Sequence, residues 1–184
     1  NWSKMTRFAL LVRGINVGGK NKVVMADLRQ QLTDLGLGQV ETYINSGNIF
    51  FTTDLSRTQL VEDLSTFFEN HYPFIERFSL LSREDYEAEC ANLPEWWTEE
   101  MARKDVLFYT EGLGRESVEE KLLALDLGEE VLHFGKLAVF WGKFSEESYA
   151  KTAYHKHLMK MPFYRQMTIR NANTFDKIGT LLKK

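Results

Sequence analysis

The residues of this 184-residue chain best suited to chemistry lie in one run, Arg13-Gly14-Ile15-Asn16-Val17-Gly18-Gly19-Lys20-Asn21-Lys22. Glycines allow backbone N–H groups to crowd together, and a helix start beyond the loop adds partial positive charge, so the run suits an anion. Arg13, Lys20 and Lys22 would add formal charge and donors. Gly14 to Gly19-Lys20 has the spacing G-x-x-x-x-G-K of a nucleotide-binding loop, but Asn21 stands where Ser or Thr must hold magnesium. No apolar strand ending in Asp offers a second metal-binding element, and the element order below is not that of a parallel NTPase sheet. NTP hydrolysis is therefore rejected, while cradling of a phosphate or carboxylate without hydrolysis remains. The alternative is a surface loop whose glycines serve tight turns.

Two further polar clusters could join that loop. Asn45, Ser46 and Asn48 flank Gly47 in good turn chemistry that requires no function, yet their amides could also read a sugar, a base edge or a carboxylate. Arg170, Asn171 and Asn173 lie just before a final helix, where Asn173 or Thr174 could cap it. Catalytic sets are weak. His155 and His157, two apart on a predicted helix, diverge and make a poor metal pair. Cys90 in an acidic helix reads as structural. Glu99-Glu100, Glu119-Glu120 and Glu129-Glu130 read as solvated faces, and Trp96-Trp97 as a plug between two halves rather than a ligand stack. No catalytic residue and no metal site is expected from these residues, and they leave any cofactor open.

The elements that must position these residues follow from periodicity. Phe8–Val12 is a continuous apolar run, as in a covered central strand. Met25, Leu28, Leu32 and Leu35 share one helical face that Gly36 and Gly38 end. Two β-rich runs, residues 40–45 and 48–52, form a hairpin around Ser46-Gly47. A helix carrying Leu60, Leu64, Phe67 and Phe68 and a strand over 75–81 complete β-α-β-β-α-β. After a helical bridge the same order recurs: a strand at 106–109, a helix through Val118 and Leu122, a hairpin at 130–134 and 137–141, a helix over about 147–159, a strand at 166–170, then a last helix at 174–182. The predicted fold is α+β, with two tandem ferredoxin-like halves built on antiparallel sheets plus a C-terminal helix. The domains expected are residues 5–81, a bridge over 82–102, and residues 103–184. The first and third strands of each half are expected to be parallel neighbours, with the glycine loop and the Asn45–Asn48 turn assumed to share an edge.

The net charge of −3 is unevenly spread. Residues 1–26 carry +5 and residues 151–184 carry +7, leaving −15 for the middle. Basic ends around an acidic middle are expected to form one electropositive surface, unless the acids merely solubilise the middle. No apolar run approaches the roughly 18 residues of a membrane span, no secretory leader pattern opens the chain, and a single cysteine fits a reducing compartment. The expected location is the cytoplasm.

The segments LLVRGINVGGKNKVVMADLR, TYINSGNIFF and TIRNANTFDKI resemble the bacterial domain-of-unknown-function family numbered 1697, over nearly the whole chain from about Met5. Val24 departs from that pattern where proline is usual, and Ala172 where tryptophan is frequent. The resemblance implies an α+β fold and no particular activity. It also singles out the same three polar clusters. The expected function is therefore binding of a small phosphate- or carboxylate-bearing ligand. Arg13, Lys20 and Lys22 would neutralise it, Gly18 and Gly19 would cradle it, and Asn16, Asn45, Ser46 and Asn48 would orient it. Arg170, Asn171 and Asn173 would close the site from the second half. The alternatives are a nucleic-acid module reading RNA on its sheet surface, and an enzyme of unrecognised mechanism acting on a small anion.

Overall fold

The computed structural model describes residues 4–145 and 149–184. It is an α+β protein whose described residues form two four-stranded antiparallel sheets and six α-helices. The chain divides into two compact units, Asn1–Glu84 with Ile178–Lys184, and Asp85–Lys177. No helix among the described residues is long and apolar enough to cross a membrane.

The first unit contains β1 (Thr6–Val12), α1 (Met25–Asp34), β2 (Gly38–Tyr43), β3 (Asn48–Thr53), α2 (Arg57–His71) and β4 (Phe78–Ser82), with sheet order β2-β3-β1-β4. Phe8, Leu10 and Val12 on one face of β1 meet Ile49 and Phe51 of β3, and the faces of α1 (Leu28, Leu32) and α2 (Leu60, Leu64, Phe67, Phe68) close that core. The opposite face is buried as well, since Ala9, Leu11, Phe50 and Leu81 are all sealed from solvent. α2 begins on Ser56, whose hydroxyl accepts from Gln59 N–H at 3.2 Å. α1 begins on Val24, which caps nothing with its side chain.

The pairing of β1 with β3 is antiparallel, in register Leu11↔Asn48, and not parallel as expected from the sequence. The physical reason is the split crossover. α1 returns the chain so that β2 runs in the direction of β1, and the hairpin then sends β3 back between them. A strand lying between two that point the same way is antiparallel to both.

Arg7 shows how the C-terminus belongs to this unit. Its guanidinium is buried, donates from Nε to Leu181 O at 2.8 Å, and pairs with Glu41, which also receives Lys184 Nζ at 3.1 Å. Two of the terminal cations counted towards an electropositive surface are thus engaged with one carboxylate.

The second unit contains most of α3 (Arg83–Cys90), then β5 (Arg103–Phe108), α4 (Arg115–Leu123), β6 (Glu130–Phe134), β7 (Ala138–Lys143), α5 (Ala153–Lys156) and β8 (Thr168–Asn171), followed by α6 (Ala172–Leu182), which extends into the first unit. Sheet order is β6-β7-β5-β8, again antiparallel throughout. Leu107, Val139 and Trp141 pack on Val118, Leu122, Tyr154 and Leu158. On the other face Trp97 stands edge-on to Phe140 at 5.1 Å and to Phe175 at 6.0 Å, an aromatic cluster.

The single helix expected over 147–159 is not what the described residues form. Residues 147 and 148 lie outside them, and the described remainder is broken into 3-10 turns at Tyr149–Lys151, Leu158–Lys160 and Pro162–Gln166 around the one-turn α5. Thr152 is extended (φ −74°, ψ 151°) and its hydroxyl accepts from His155 N–H, so the helix must restart there. Glu130 fixes the restart. Read in the sequence as solvated, it is buried, and its carboxylate accepts from Trp141 Nε1 at 3.1 Å, Ala153 N at 2.6 Å and Tyr154 N at 3.2 Å.

Asp105 is buried in the second unit with Arg103 Nε 2.6 Å from its Oδ2. Burial pushes its carboxyl above the ordinary aspartate value, and the arginine opposes this only in part. The folded state therefore holds this proton to higher pH than the unfolded chain. The resulting stability is complete below the ordinary value of about 4 and is lost as pH rises through the raised one. Asp105→Asn is expected to flatten that fall. The change should reach about 1.4 kcal/mol for each pH unit separating the two values, read by urea unfolding across the acid range.

Candidate functional site

Antiparallel pairing sets the geometry of the glycine loop. Because the end of β1 lies beside the start of β3, the chain leaving β1 meets the hairpin turn, and Val12 N–H donates to Gly47 O at 3.0 Å. Within the loop, Val17 and Lys20 bridge around Gly18 (φ +57°) and Gly19 (φ +75°), a two-residue turn that requires positive φ at both positions. Asn16 and Asn21 also adopt positive φ, and Asn16 N–H donates to Asn21 O at 3.0 Å. Ile15 and Val23 anchor the loop in the core while residues 17–22 are exposed.

Asn16 is the stitch. Its Oδ1 accepts from Val23 N–H at 2.8 Å, and its Nδ2 donates to Val23 O at 3.1 Å and to Asn45 O at 2.8 Å. One amide thus closes the loop and ties it to the hairpin turn. Asn21, given no ligand role from the sequence, donates from Nδ2 to Gly14 O at 2.9 Å and closes the loop's other flank. The available signal was an asparagine closing a Gly-Gly turn, since Asn tolerates the left-handed conformation and bonds its side chain to nearby backbone. Asn48 is fully buried and donates from Nδ2 to Tyr43 O at 3.1 Å and Ser46 Oγ at 3.3 Å. Asn16 and Asn48 therefore spend their amides on the scaffold. Gly18, Gly19, Lys20, Lys22, Asn45 and Ser46 are exposed, and Arg13 is half-buried.

Gly47 is bound to its place for a separate reason. Its φ is +102°, and a Cβ there would lie 2.4 Å from Val12 Cγ2. At Gly18 and Gly19 a Cβ would meet nothing within 4 Å, so their constraint is conformational alone.

The third cluster lies in the second unit. Arg170 is buried on β8 and donates to Ile169 O at 2.8 Å. Asn171 caps α6, its Oδ1 accepting from Thr174 N–H at 2.9 Å, so the cap falls on Asn171 and not on Asn173 or Thr174. Asn173 is exposed in the first turn. Among the described residues no three of His, Cys, Asp or Glu are grouped to hold a metal ion.

The family described as "Protein of unknown function (DUF1697)" matches residues 5–140, a span that takes in the glycine loop and the hairpin turn. Among solved structures the chain is similar to the conserved bacterial protein SP0830 from Streptococcus pneumoniae. The two share 70% sequence identity with a TM-score of 0.94, covering 97% of this chain and 99% of that one. Comparison with curated proteins gives no match. The glycine loop, the hairpin turn it is sewn to and the α+β fold beneath them are thus those of a bacterial protein family, and this chain belongs to DUF1697.

Proposed function

We infer that the protein binds a small phosphate- or carboxylate-bearing ligand at the edge formed by residues 13–22 and 45–48. The observation that carries this reading is the hydrogen bond from Asn16 Nδ2 to Asn45 O. It joins the loop bearing Lys20 and Lys22 to the turn bearing Asn45 and Ser46, so cationic and amide groups share one surface. In this reading Arg13, Lys20 and Lys22 neutralise the anion, the Gly18 and Gly19 N–H groups cradle it, and Asn45 and Ser46 orient it. Asn16 and Asn48 hold the shelf together and do not touch the ligand. The antiparallel order of each sheet supports reading both halves as ferredoxin-like.

Native mass spectrometry of protein purified without added ligand, repeated after denaturation, tests the assignment. A stoichiometric anionic small molecule is expected, retained by the native chain and reduced at least tenfold in an Arg13→Ala/Lys20→Ala variant, since each lost charged hydrogen bond is worth about 1.5–3 kcal/mol. Unchanged retention in that variant sinks the assignment. An oligonucleotide ladder in the released fraction would replace it with a nucleic-acid site. About five phosphates neutralised on a single strand would then give a log–log salt slope near −3.5.

A further inference from the structure

We propose that the second unit carries a small-molecule site of its own, in the cleft beside the β6–β7 turn, and that this cleft takes a zwitterion of amino-acid size. Topology supplies the first argument. In the first unit the chain leaving β1 meets the hairpin turn through Val12 N–H and Gly47 O at 3.0 Å, and in the second the chain leaving β5 meets its turn through Tyr109 N–H and Leu137 O at 3.0 Å. Both bonds fall one residue beyond the last strand pair, Leu11↔Asn48 and Phe108↔Ala138. The same edge is therefore built twice.

The second edge is not an open shelf. α3 lies along it, and a cleft of about 390 Å³ lies between that helix and the turn, within the range of metabolite-sized pockets. Glu89 of α3 is buried, and its two oxygens accept from Lys136 N–H at 3.0 Å and Leu137 N–H at 2.6 Å. Gly135 permits this approach, because a Cβ there would lie 2.5 Å from both carboxylate oxygens. A carboxylate has about four lone-pair sites, so Glu89 can pin the turn and still accept from a ligand.

Charge supplies the second argument. The α3 wall carries Asp85 and Glu89, and the opposite wall carries Arg115, His133 and Lys136. Arg115 is held in place by Glu119, at 2.9 and 3.1 Å, and its guanidinium lies 5.7 Å from the centre of the Phe134 ring. That wall is therefore a preorganised guanidinium, its charge shared with Glu119, with the Lys136 ammonium and an apolar face beside it. A pure anion entering the cleft would meet two carboxylates, and a pure cation would meet Arg115 and Lys136. A molecule with an ammonium and a carboxylate a few bonds apart satisfies both walls, and Phe134 receives its apolar part.

The test is NMR titration of the full chain with single L-amino acids, and with acetate and ethylammonium as half-probes. The His133 ring and the Lys136 backbone amide are expected to shift saturably with at least one amino acid at millimolar concentration, while neither half-probe saturates in that range. Lys136→Ala, at an exposed position that leaves Glu89 and the turn intact, and Asp85→Asn should each weaken the effect about tenfold. No saturable shift with any amino acid, or equal shifts from acetate or ethylammonium, would overturn the proposal. So would shifts confined to residues 13–22, which would assign the ligand to the first unit alone. Loss of a retained anion in the Arg13→Ala/Lys20→Ala protein leaves these outcomes unaltered, so the two sites stand or fall separately.

Discussion

Gly47→Ala is expected to destabilise the protein by about 3 kcal/mol or more, lowering the thermal midpoint by about 10 °C. Two penalties combine at this position. A φ of +102° costs any residue with a Cβ on the order of 1–2 kcal/mol. The new Cβ would also fall 2.4 Å from Val12 Cγ2 and 3.0 Å from Val12 O, and neither can yield easily. Val12 is fully buried in the first core, and its N–H is the donor that Gly47 O accepts. Overpacking of this kind adds about 1–3 kcal/mol. Gly18→Ala supplies the control, with positive φ but open space around it, and should cost only about 1–2 kcal/mol. Thermal unfolding of the two variants side by side separates clash from conformational strain. Equal midpoints would show that the hairpin turn yields freely and that Val12 does not confine it.

Glu130→Ala should lose about 4 kcal/mol, the second large effect. The carboxylate is buried and serves three donors at once, Trp141 Nε1 and the N–H groups of Ala153 and Tyr154. Charge-assisted bonds contribute about 1.5–3 kcal/mol each and are not additive, and donors left without an acceptor in the interior add their own penalty. Because two of them form the start of α5, the loss should concentrate in residues 149–166. Urea unfolding gives the magnitude, and amide exchange in that segment gives the location. Glu130→Gln keeps an acceptor oxygen without the charge, and is expected to retain roughly half of the stability. A wild-type exchange pattern in Glu130→Ala would mean that the broken helical segment is held by its apolar contacts alone.

Much of this structure was legible from residue order. Leu28 and Leu32, Leu60 and Leu64, and Val118 and Leu122 recur at helical spacing because a helix buries one stripe, and those stripes are the faces found in the two cores. Ser46-Gly47 and Gly135-Lys136 mark hairpins because local turn chemistry decides them. The segment after Lys143 was misread because its helical periodicity is local, whereas its interruption at Thr152 is held by Glu130, which lies 22 residues away in sequence. Glu130 itself carried a signal, since it shares strand parity with the apolar Leu132 and Phe134. Adjacent to Glu129, it was grouped with the charges.

The sequence by itself determined the element order, the two hairpins, the family and the polarity of the glycine loop, because each rests on neighbouring residues. Tertiary structure alone decided which loops meet. Parallel pairing of β1 with β3 would have carried the glycine loop to the far edge from Asn45, and antiparallel pairing brings them within one hydrogen bond. It also decided which polar groups remain outward, since Asn16 and Asn48 have amides like Asn45, yet Asn16 spends its own on Val23 O and on Asn45 O across the fold, and Asn48 on Tyr43 O across the hairpin. Strand direction and hydrogen-bond occupancy are properties of pairs of segments, and periodicity within one segment does not contain them.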